Sequence, residues 1–330
     1  MKLPRIIFAS AALLLFHNLS TGQTCCSGGV PLSSNLGLPP EEGKTLQLNL
    51  NYDLNVLQTL KTGSETLDDD SRTRRTHSVL LQGGYSLSER FSVDALISWV
   101  RQERNIRQFG NTDFTATDGV GDAVFLFKYK LLATAGNLTT VTGALGVKAP
   151  LGASGLKRSD GLTINADLQP GSGAWDGILW GQVVHVLKFR PGMSVSGTVV
   201  YGLKGKNRGY LGSQVYQFGN ELQVSGSLAG RLLMGSFIID PSLTLRFRNV
   251  SPDRVEGLDV PSTGGNWLFL SPGLNYWFNP KYAFNARVEL PLIASITGTQ
   301  VSPTYRINVG FFAKINFQKQ SAFQPEFKVN

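Results

Sequence analysis

The chain has few of the residues that enzymes and metal proteins use for chemistry. Its 330 residues include two cysteines and three histidines. Cys25 and Cys26 are adjacent and have no histidine near them, so they make a poor metal site. His77 and Ser78 follow one another in a strand-like segment, where neighbouring side chains point to opposite faces, and this argues against a catalytic dyad. We therefore expect no catalytic residues, no cofactor and no metal, in a chain that is not an enzyme.

A long hydrophobic run is also lacking. Ile6–Phe16 is the longest candidate, and its 11 residues are too few for a membrane helix, which needs about 20. Lys2 and Arg5 precede this run and small residues follow it, so residues 1–22 are predicted to be a secretory signal peptide. Residues 23–44, rich in glycine and proline, are interpreted as a periplasmic lead-in. A mean hydropathy of −0.04 is too polar for a helical membrane protein.

After residue 44 the sequence alternates between apolar and polar positions. Leu245 and Phe247 share one parity, whereas Thr244, Arg246 and Arg248 share the other. Such a strand has one apolar face and one charged face. Because many segments repeat this pattern and no helical segment remains to cover them, we predict a closed barrel with lipid outside and a polar lumen inside.

About twelve strands are predicted, which makes the fold class all-β: a transmembrane, antiparallel, up-and-down barrel over residues 45–317, with a C-terminal tail at 318–330. Short and long connections alternate between the strands, as outer-membrane barrels alternate periplasmic turns with extracellular loops. An even strand count places both termini in the periplasm. The predicted strands lie near 45–57, 77–87, 91–102, 119–132, 138–149, 174–187, 193–202, 217–233, 237–248, 266–278, 282–292 and 304–317. The predicted long loops are 58–76, 103–118, 150–173, 203–216, 249–265 and 293–303.

The inward parity carries charges of both signs. They form either a structural ladder of ion pairs or a charged constriction that selects solutes. Twelve strands lie between the eight of a filled barrel and the sixteen of an open pore, so a narrow or plugged path is expected. The candidate lumen residues are Asp53, Asp94, Lys128, Lys130, Glu221, Arg231, Asp240, Arg246, Arg248, Arg287, Glu289, Arg306 and Lys314.

Three ordered motifs lie in the middle of the chain, at Gly119–Leu132, Gly146–Gly152 and Asp167–Asp176. They read GVGDAVFLFKYKLL, GVKAPLG and DLQPGSGAWD. This set resembles the outer-membrane proteins grouped with the meta-pathway of phenol degradation. The resemblance implies a barrel that passes hydrophobic or aromatic compounds, and it implies no catalytic residues.

The predicted loop 150–173 is the most suggestive outer segment, because its prolines and glycines indicate a structured turn. It either folds over the mouth of the barrel as a gate or is a surface loop with no gating role. The gating candidates are Lys157, Arg158, Asp160 and Asp167. Acidic clusters in two other loops, at 65–70 and 253–259, could bind Ca²⁺, bridge lipopolysaccharide or be simply solvated.

The net charge of +8 is spread along the chain and forms no basic helix, so no nucleic-acid partner is expected. It suits a bacterial outer membrane, with lipid and lipopolysaccharide as surroundings, and the oligomeric state stays open. The predicted function is passive diffusion of small, hydrophobic or aromatic solutes. The alternative is a structural or adhesive surface barrel whose long loops bind partners.

Overall fold

The computed structural model describes residues 43–190, 192–235 and 237–317. The predicted signal peptide, nearly all of the lead-in with both cysteines, and the C-terminal tail lie outside these residues. Within the described part, no helix is long and apolar enough to cross a membrane.

Twelve antiparallel strands form a single closed sheet, as the alternation predicts. Each strand pairs with the next along the chain, and the first pairs with the last from Thr45 opposite Asn316 to Thr62 opposite Thr299. This closure leaves the sheet without an open edge. The strands are β1 Thr45–Thr62, β2 Arg72–Ser86, β3 Phe91–Gln108, β4 Ala123–Ala133, β5 Thr139–Ala149, β6 Asp176–Val186, β7 Met193–Leu203, β8 Glu221–Gly230, β9 Phe237–Val250, β10 Gly265–Asn279, β11 Tyr282–Ile296 and β12 Thr299–Asn316.

Shorter elements decorate the barrel. Asn111–Val120 extends its wall by pairing with the outer half of β3. Four short strands in the connections between β7 and β8 and between β9 and β10 form a separate sheet, which we call the lid sheet: Lys206–Tyr210, Gln214–Gln217, Arg254–Val255 and Leu258–Asp259. The remaining elements are Glu65–Thr66, Leu232–Met234 and two 3-10 turns, Ala135–Asn137 and Ala166–Leu168.

The predicted parity is seen in β9. Leu243, Leu245 and Phe247 are exposed on the outer face, whereas Thr244 and Arg246 are 4% exposed and face the lumen. An apolar outer face and a closed hydrogen-bonded sheet are what a strand-built membrane protein requires. One end of the barrel has the short turns and both barrel termini, and we call it the turn end. The other end is the loop end.

Two predicted loops are wrong, and a third, 58–76, is shorter than predicted because β1 continues to Thr62 and β2 begins at Arg72. Residues 293–303 do not form a long loop, because β11 continues to Ile296 and β12 begins at Thr299, which leaves a two-residue turn. Residues 103–118 belong to a hairpin that turns at Phe109 and Gly110, both with positive φ. In both cases polar, strand-favouring residues such as threonine continue the ladder above the apolar belt, where an outer face no longer needs to be apolar.

Candidate functional site

The loop between β5 and β6, residues 150–175, turns into the barrel at its loop end, and we call it the plug loop. Its 3-10 turn contacts inward-facing side chains of the wall. Arg74 on β2 places Nη1 2.8 Å from Asp167 Oδ2, and both side chains are buried. Gln102 on β3 donates Nε2 to the Gln169 carbonyl oxygen at 2.9 Å, and the Thr117 hydroxyl donates to the Leu168 carbonyl. The segment is thus bonded to the inner wall from two strands and from the wall extension.

Four residues from the three sequence motifs meet in one buried cluster at the base of the plug loop. The Lys148 ammonium lies 2.9 Å from Asp122 Oδ2, 2.9 Å from Asp176 Oδ2 and 2.5 Å from Ser172 Oγ. Ser172 in turn donates its hydroxyl and its backbone N–H to Asp122 Oδ2, at 2.7 and 3.0 Å. A second cation, Lys204, lies 3.3 Å from Asp176 Oδ2. The charges of the two lysines and the two carboxylates cancel, so the buried cluster has no net charge.

The same junction needs two glycines. A Cβ on Gly171 would lie 2.4 Å from the carbonyl carbon and oxygen of Gly152. No other residue type fits where two backbones approach this closely. Asp122 also accepts the Gly152 N–H at 3.1 Å, so the end of β5 is fixed to both the wall and the plug loop.

Above the plug loop, the lid sheet closes over its outer side. Tyr216 and Phe218 are buried against Ala166, with Tyr210 and Val255 packed around them. The Tyr216 hydroxyl donates to Asp253 Oδ2 at 2.7 Å, and the Gly219 N–H donates to Asp253 Oδ1 at 2.8 Å. Burial raises the pKa of Asp253 to about 6, and burial also raises the pKa of Tyr216. The loop end is therefore covered by two layers in this structure.

Below the plug loop, one side of the inner wall is apolar, whereas the sequence predicts a polar lumen throughout. Val124 and Ile178 lie two residues along from Asp122 and Asp176 on the same strand faces, and Trp180 continues the patch. The complete apolar patch, which we call the apolar wall, consists of Leu80, Leu96, Val124, Leu126, Ile178, Trp180 and Val200, with Ala144 beside it.

The opposite side of the lumen is charged. Arg246 Nη2 lies 2.5 Å from Glu289 Oε1, and Arg248 Nε lies 2.6 Å from Glu221 Oε1. Arg246 also stacks over the Phe269 ring, with 4.5 Å between the guanidinium carbon and the ring centroid. The lumen therefore has two unlike sides. One carries the apolar wall with the Lys128–Asp94 pair next to it, and the other carries several paired charges packed against Trp267 and Phe269.

The other candidates on the inner wall are also placed by the structure. Arg306 Nε lies 2.8 Å from Asp53 Oδ1, and Lys128 Nζ lies 2.8 Å from Asp94 Oδ1. Arg231 and Asp240 pair at 2.6 Å near the turn end. The three remaining predicted lumen residues are half-buried on inward-facing positions: Lys130, Arg287 and Lys314.

Of the four gating candidates, the structure brings only Asp167 into the barrel. Arg158 and Asp160 lie 3.6 Å apart at the exposed tip of the plug loop, beside Lys157, and Arg158 also pairs with Asp113 at 3.3 Å. Residues that sequence reasoning missed carry the buried contacts instead: Arg74, Asp122, Lys148, Ser172, Asp176 and Lys204. Four of these residues lie within the recognised motifs: Asp122, Lys148, Ser172 and Asp176. The spacing of the motif residues was the only feature of the sequence that pointed to them.

The acidic loop clusters do not assemble into cation sites. No group of three or more potential metal ligands occurs among the described residues. Asp253 is bonded to Tyr216, Glu256 accepts the Val215 N–H, and Asp259 pairs with Arg254.

Comparison with known proteins supports the resemblance seen in the motifs. Residues 87–292 match the model of the family described as "Putative MetA-pathway of phenol degradation". No curated protein matches the chain. Among solved structures, an outer membrane channel from Pseudomonas putida F1 is similar with a TM-score of 0.62 and 16% identity, covering 87% of this chain and 100% of that one. The translocator domain of the autotransporter NalP from Neisseria meningitidis is more distant, with a TM-score of 0.46, 12% identity and coverage of 83% and 89%.

Proposed function

The chain belongs to this MetA-pathway family, and from that membership we propose that it is an outer-membrane channel through which small hydrophobic or aromatic solutes diffuse passively. The turn end then faces the periplasm and the loop end faces the exterior. The observation that carries the proposal is the position of the apolar wall directly beneath the plug loop.

The apolar wall is not needed for contact with lipid, because the outer face already supplies the apolar surface that lipid requires. Polar side chains would fill the lumen equally well and would be better hydrated. A solute with an apolar body would leave water and contact Leu126, Ile178 and Trp180 once the plug loop moves aside. The charged wall opposite would keep the remainder of the path wetted.

The structure described here is then the closed state. Opening requires separation of Arg74 from Asp167 and of the plug loop from Gln102 and Thr117, while the Lys148 cluster holds its base. We propose that the plug loop is the gate and that its base is the hinge. The base is held by several ion pairs and should stay in place, whereas the 3-10 turn is held by one ion pair and can separate from the wall.

Liposome uptake tests the function. Purified barrel is reconstituted, and entry of a neutral monoaromatic such as phenol is compared with entry of a disaccharide of low hydrophobicity. We expect phenol flux above that of empty liposomes and little sugar flux. Asp167→Asn should increase both, because it weakens the contact that keeps the plug loop in place.

A surface role is the second candidate, and the double cover at the loop end favours it. A barrel that binds partners through its outer loops has no reason to open. Absence of phenol uptake and of ion conductance, in the wild type and in Asp167→Asn alike, would support that role and reject transport. Binding of whole cells to a host or abiotic surface, lost when the tip 157–163 is deleted, would then be the positive test.

A further inference from the structure

Three arginines lie side by side on the inner face of the barrel wall at the loop end, and we call Arg72, Arg74 and Arg104 the mouth arginines. Arg74 on β2 is directly opposite Arg104 on β3. Arg72 lies two residues from Arg74 toward the loop end, on the same face of β2. Arg74 is the one that holds the plug loop, through Asp167. The mouth arginines therefore surround the contact that keeps the barrel closed.

Two of these arginines have donors to spare. Among the described residues, neither the Arg72 nor the Arg104 side chain forms an ion pair or a hydrogen bond, and the Nε of each is buried without a partner. Thr115, opposite Arg104 on the wall extension, has a buried hydroxyl without a partner as well. Both guanidinium groups are partly exposed, so a small molecule can reach them from the loop end. An anion would accept hydrogen bonds from all three side chains.

The carboxylates near the mouth arginines already have other partners. Asp69 accepts the Ser71 N–H at 2.7 Å, and Asp113 pairs with Arg158 at 3.3 Å. Asp167 alone, among the described residues, is bonded directly to a mouth arginine. Three guanidinium groups with one bonded carboxylate give this part of the inner wall an excess of positive charge, which attracts anions.

We propose, on the basis of the channel and gate described under Proposed function, that the mouth arginines bind the carboxylate of an incoming solute and that this anion releases the plug loop. In the closed state Arg74 is occupied by Asp167, whereas in the open state Arg74 joins Arg72 and Arg104 in binding the solute. The anion thus binds the open state more tightly and shifts the population toward it. The site faces the inside of the barrel, so the anion is that of a solute and not the phosphate of a surrounding lipid.

The solute should carry an apolar body as well as the carboxylate. Leu80 of the apolar wall lies on the same strand face as Arg74, six residues nearer the turn end. This separation is about 20 Å along the strand, at about 3.3 Å per residue. A solute that leaves the mouth arginines therefore meets the apolar wall next. The order of the two surfaces favours an amphipathic solute such as an aromatic acid.

Fluorine NMR titration of the detergent-purified barrel tests the binding step. The probes are para-fluorobenzoate and para-fluorobenzamide, which has the same ring and no charge. We expect saturable binding of the benzoate only. Arg72→Gln and Arg104→Gln should each weaken it about tenfold, as loss of one charge-assisted hydrogen bond would. Arg101→Gln is the matched control, because it removes the same charge from the outer face of β3 and should bind the benzoate like the wild type.

Conductance in planar bilayers tests the release of the plug loop. Benzoate added on the loop side should raise the open probability several-fold, and benzamide should not. In Asp167→Asn, which has no carboxylate to displace, benzoate should add no further opening.

Equal binding of both probes, binding unchanged in Arg72→Gln and Arg104→Gln, or benzoate binding without a rise in open probability would overturn the proposal. An equal response to inorganic phosphate would also overturn it, because it would show a site for any anion. Phenol flux is measured without benzoate. A barrel that passes phenol and fails these tests therefore keeps its proposed function and loses only the carboxylate site.

Discussion

Arg74 and Asp167 form an ion pair of 2.8 Å between the barrel wall and the plug loop, and both side chains are almost completely buried. Arg74 also donates to Gln102 and to the Asp167 carbonyl oxygen, so one guanidinium holds both the wall and the plug. Burial makes this contact a switch point. The pair is tolerated while it is intact, and either partner alone is left as a poorly solvated charge.

Removing one partner should therefore open the barrel more than removing both. We expect Asp167→Asn and Arg74→Gln each to raise single-channel conductance in planar bilayers and to lower the free energy of unfolding by roughly 3–5 kcal/mol. The double variant should cost less than the sum of the single variants. Arg158→Gln, which breaks an exposed pair at the tip of the same loop, is the control and should leave conductance unchanged. Additive losses in stability would show that the pair does not couple wall and plug.

The contact between Gly152 and Gly171 provides a test that involves no charge. Gly171→Ala should displace the plug loop, because its Cβ would lie 2.4 Å from the Gly152 backbone. We expect a loss of roughly 1–3 kcal/mol, as for other overpacked sites, with a rise in conductance. Gly155→Ala, in the same loop but with nothing within 4 Å of the added carbon, should behave as the wild type. If both variants show equal conductance and equal thermal unfolding, the plug loop does not occupy this position in the membrane.

Lys148 is expected to be the most sensitive residue of the motif cluster. Lys148→Met leaves Asp122 and Asp176 facing each other in a buried site, with Lys204 near only one of them. The loss in stability should be several-fold larger than that caused by Lys188→Met, which changes an exposed lysine in a turn. Both losses are measured by heat-modifiable gel mobility. Adding Asp122→Asn to Lys148→Met should restore part of the loss. No rescue would mean that lysine packing, rather than charge balance, holds the cluster.

The strand order was predictable from the sequence because period-two alternation repeats along the chain, as Leu245 and Thr244 illustrate. The family motifs were also recognisable, and the family match confirms them. The meeting of Asp122, Lys148 and Asp176 could not be predicted, since alternation tells which way a side chain faces but not the register between strands. Arg74 was assigned to a loop because its neighbours are arginines and threonines, although β2 begins at Arg72. The apolar wall could not be predicted, because Val124 and Ile178 lie in strand segments whose inward and outward positions are both apolar. The alternation that marks the lumen face elsewhere is missing there.

Acidity should tighten the lid. The pKa of Asp253 is raised to about 6 in the folded barrel by burial, against about 4 in an unfolded chain. Between these two values the folded state binds more protons than the unfolded state, so stability falls as pH rises from about 4 to about 6 and is level above that. Nearby Asp167 raises this pKa, and Lys204, Tyr216 and the Gly219 N–H lower it.

We therefore expect conductance to decrease when the bath on the loop side is acidified from pH 7.5 to pH 5, because neutral Asp253 makes burial of the lid against the plug loop less costly. Asp253→Asn should be closed to the same degree at both pH values, since an amide has no charge to lose. Its oxygen can accept the Gly219 N–H, and its NH2 group can donate to the Tyr216 hydroxyl oxygen. Thr263→Ala, which removes the hydroxyl that accepts the Asp253 N–H, is a control that loosens the loop and keeps the titration. A pH response that persists in Asp253→Asn would assign it to another group. A conductance that rises on acidification of the wild type would reverse the sign and show that the ionised carboxylate, rather than the neutral one, holds the lid sheet on the plug loop.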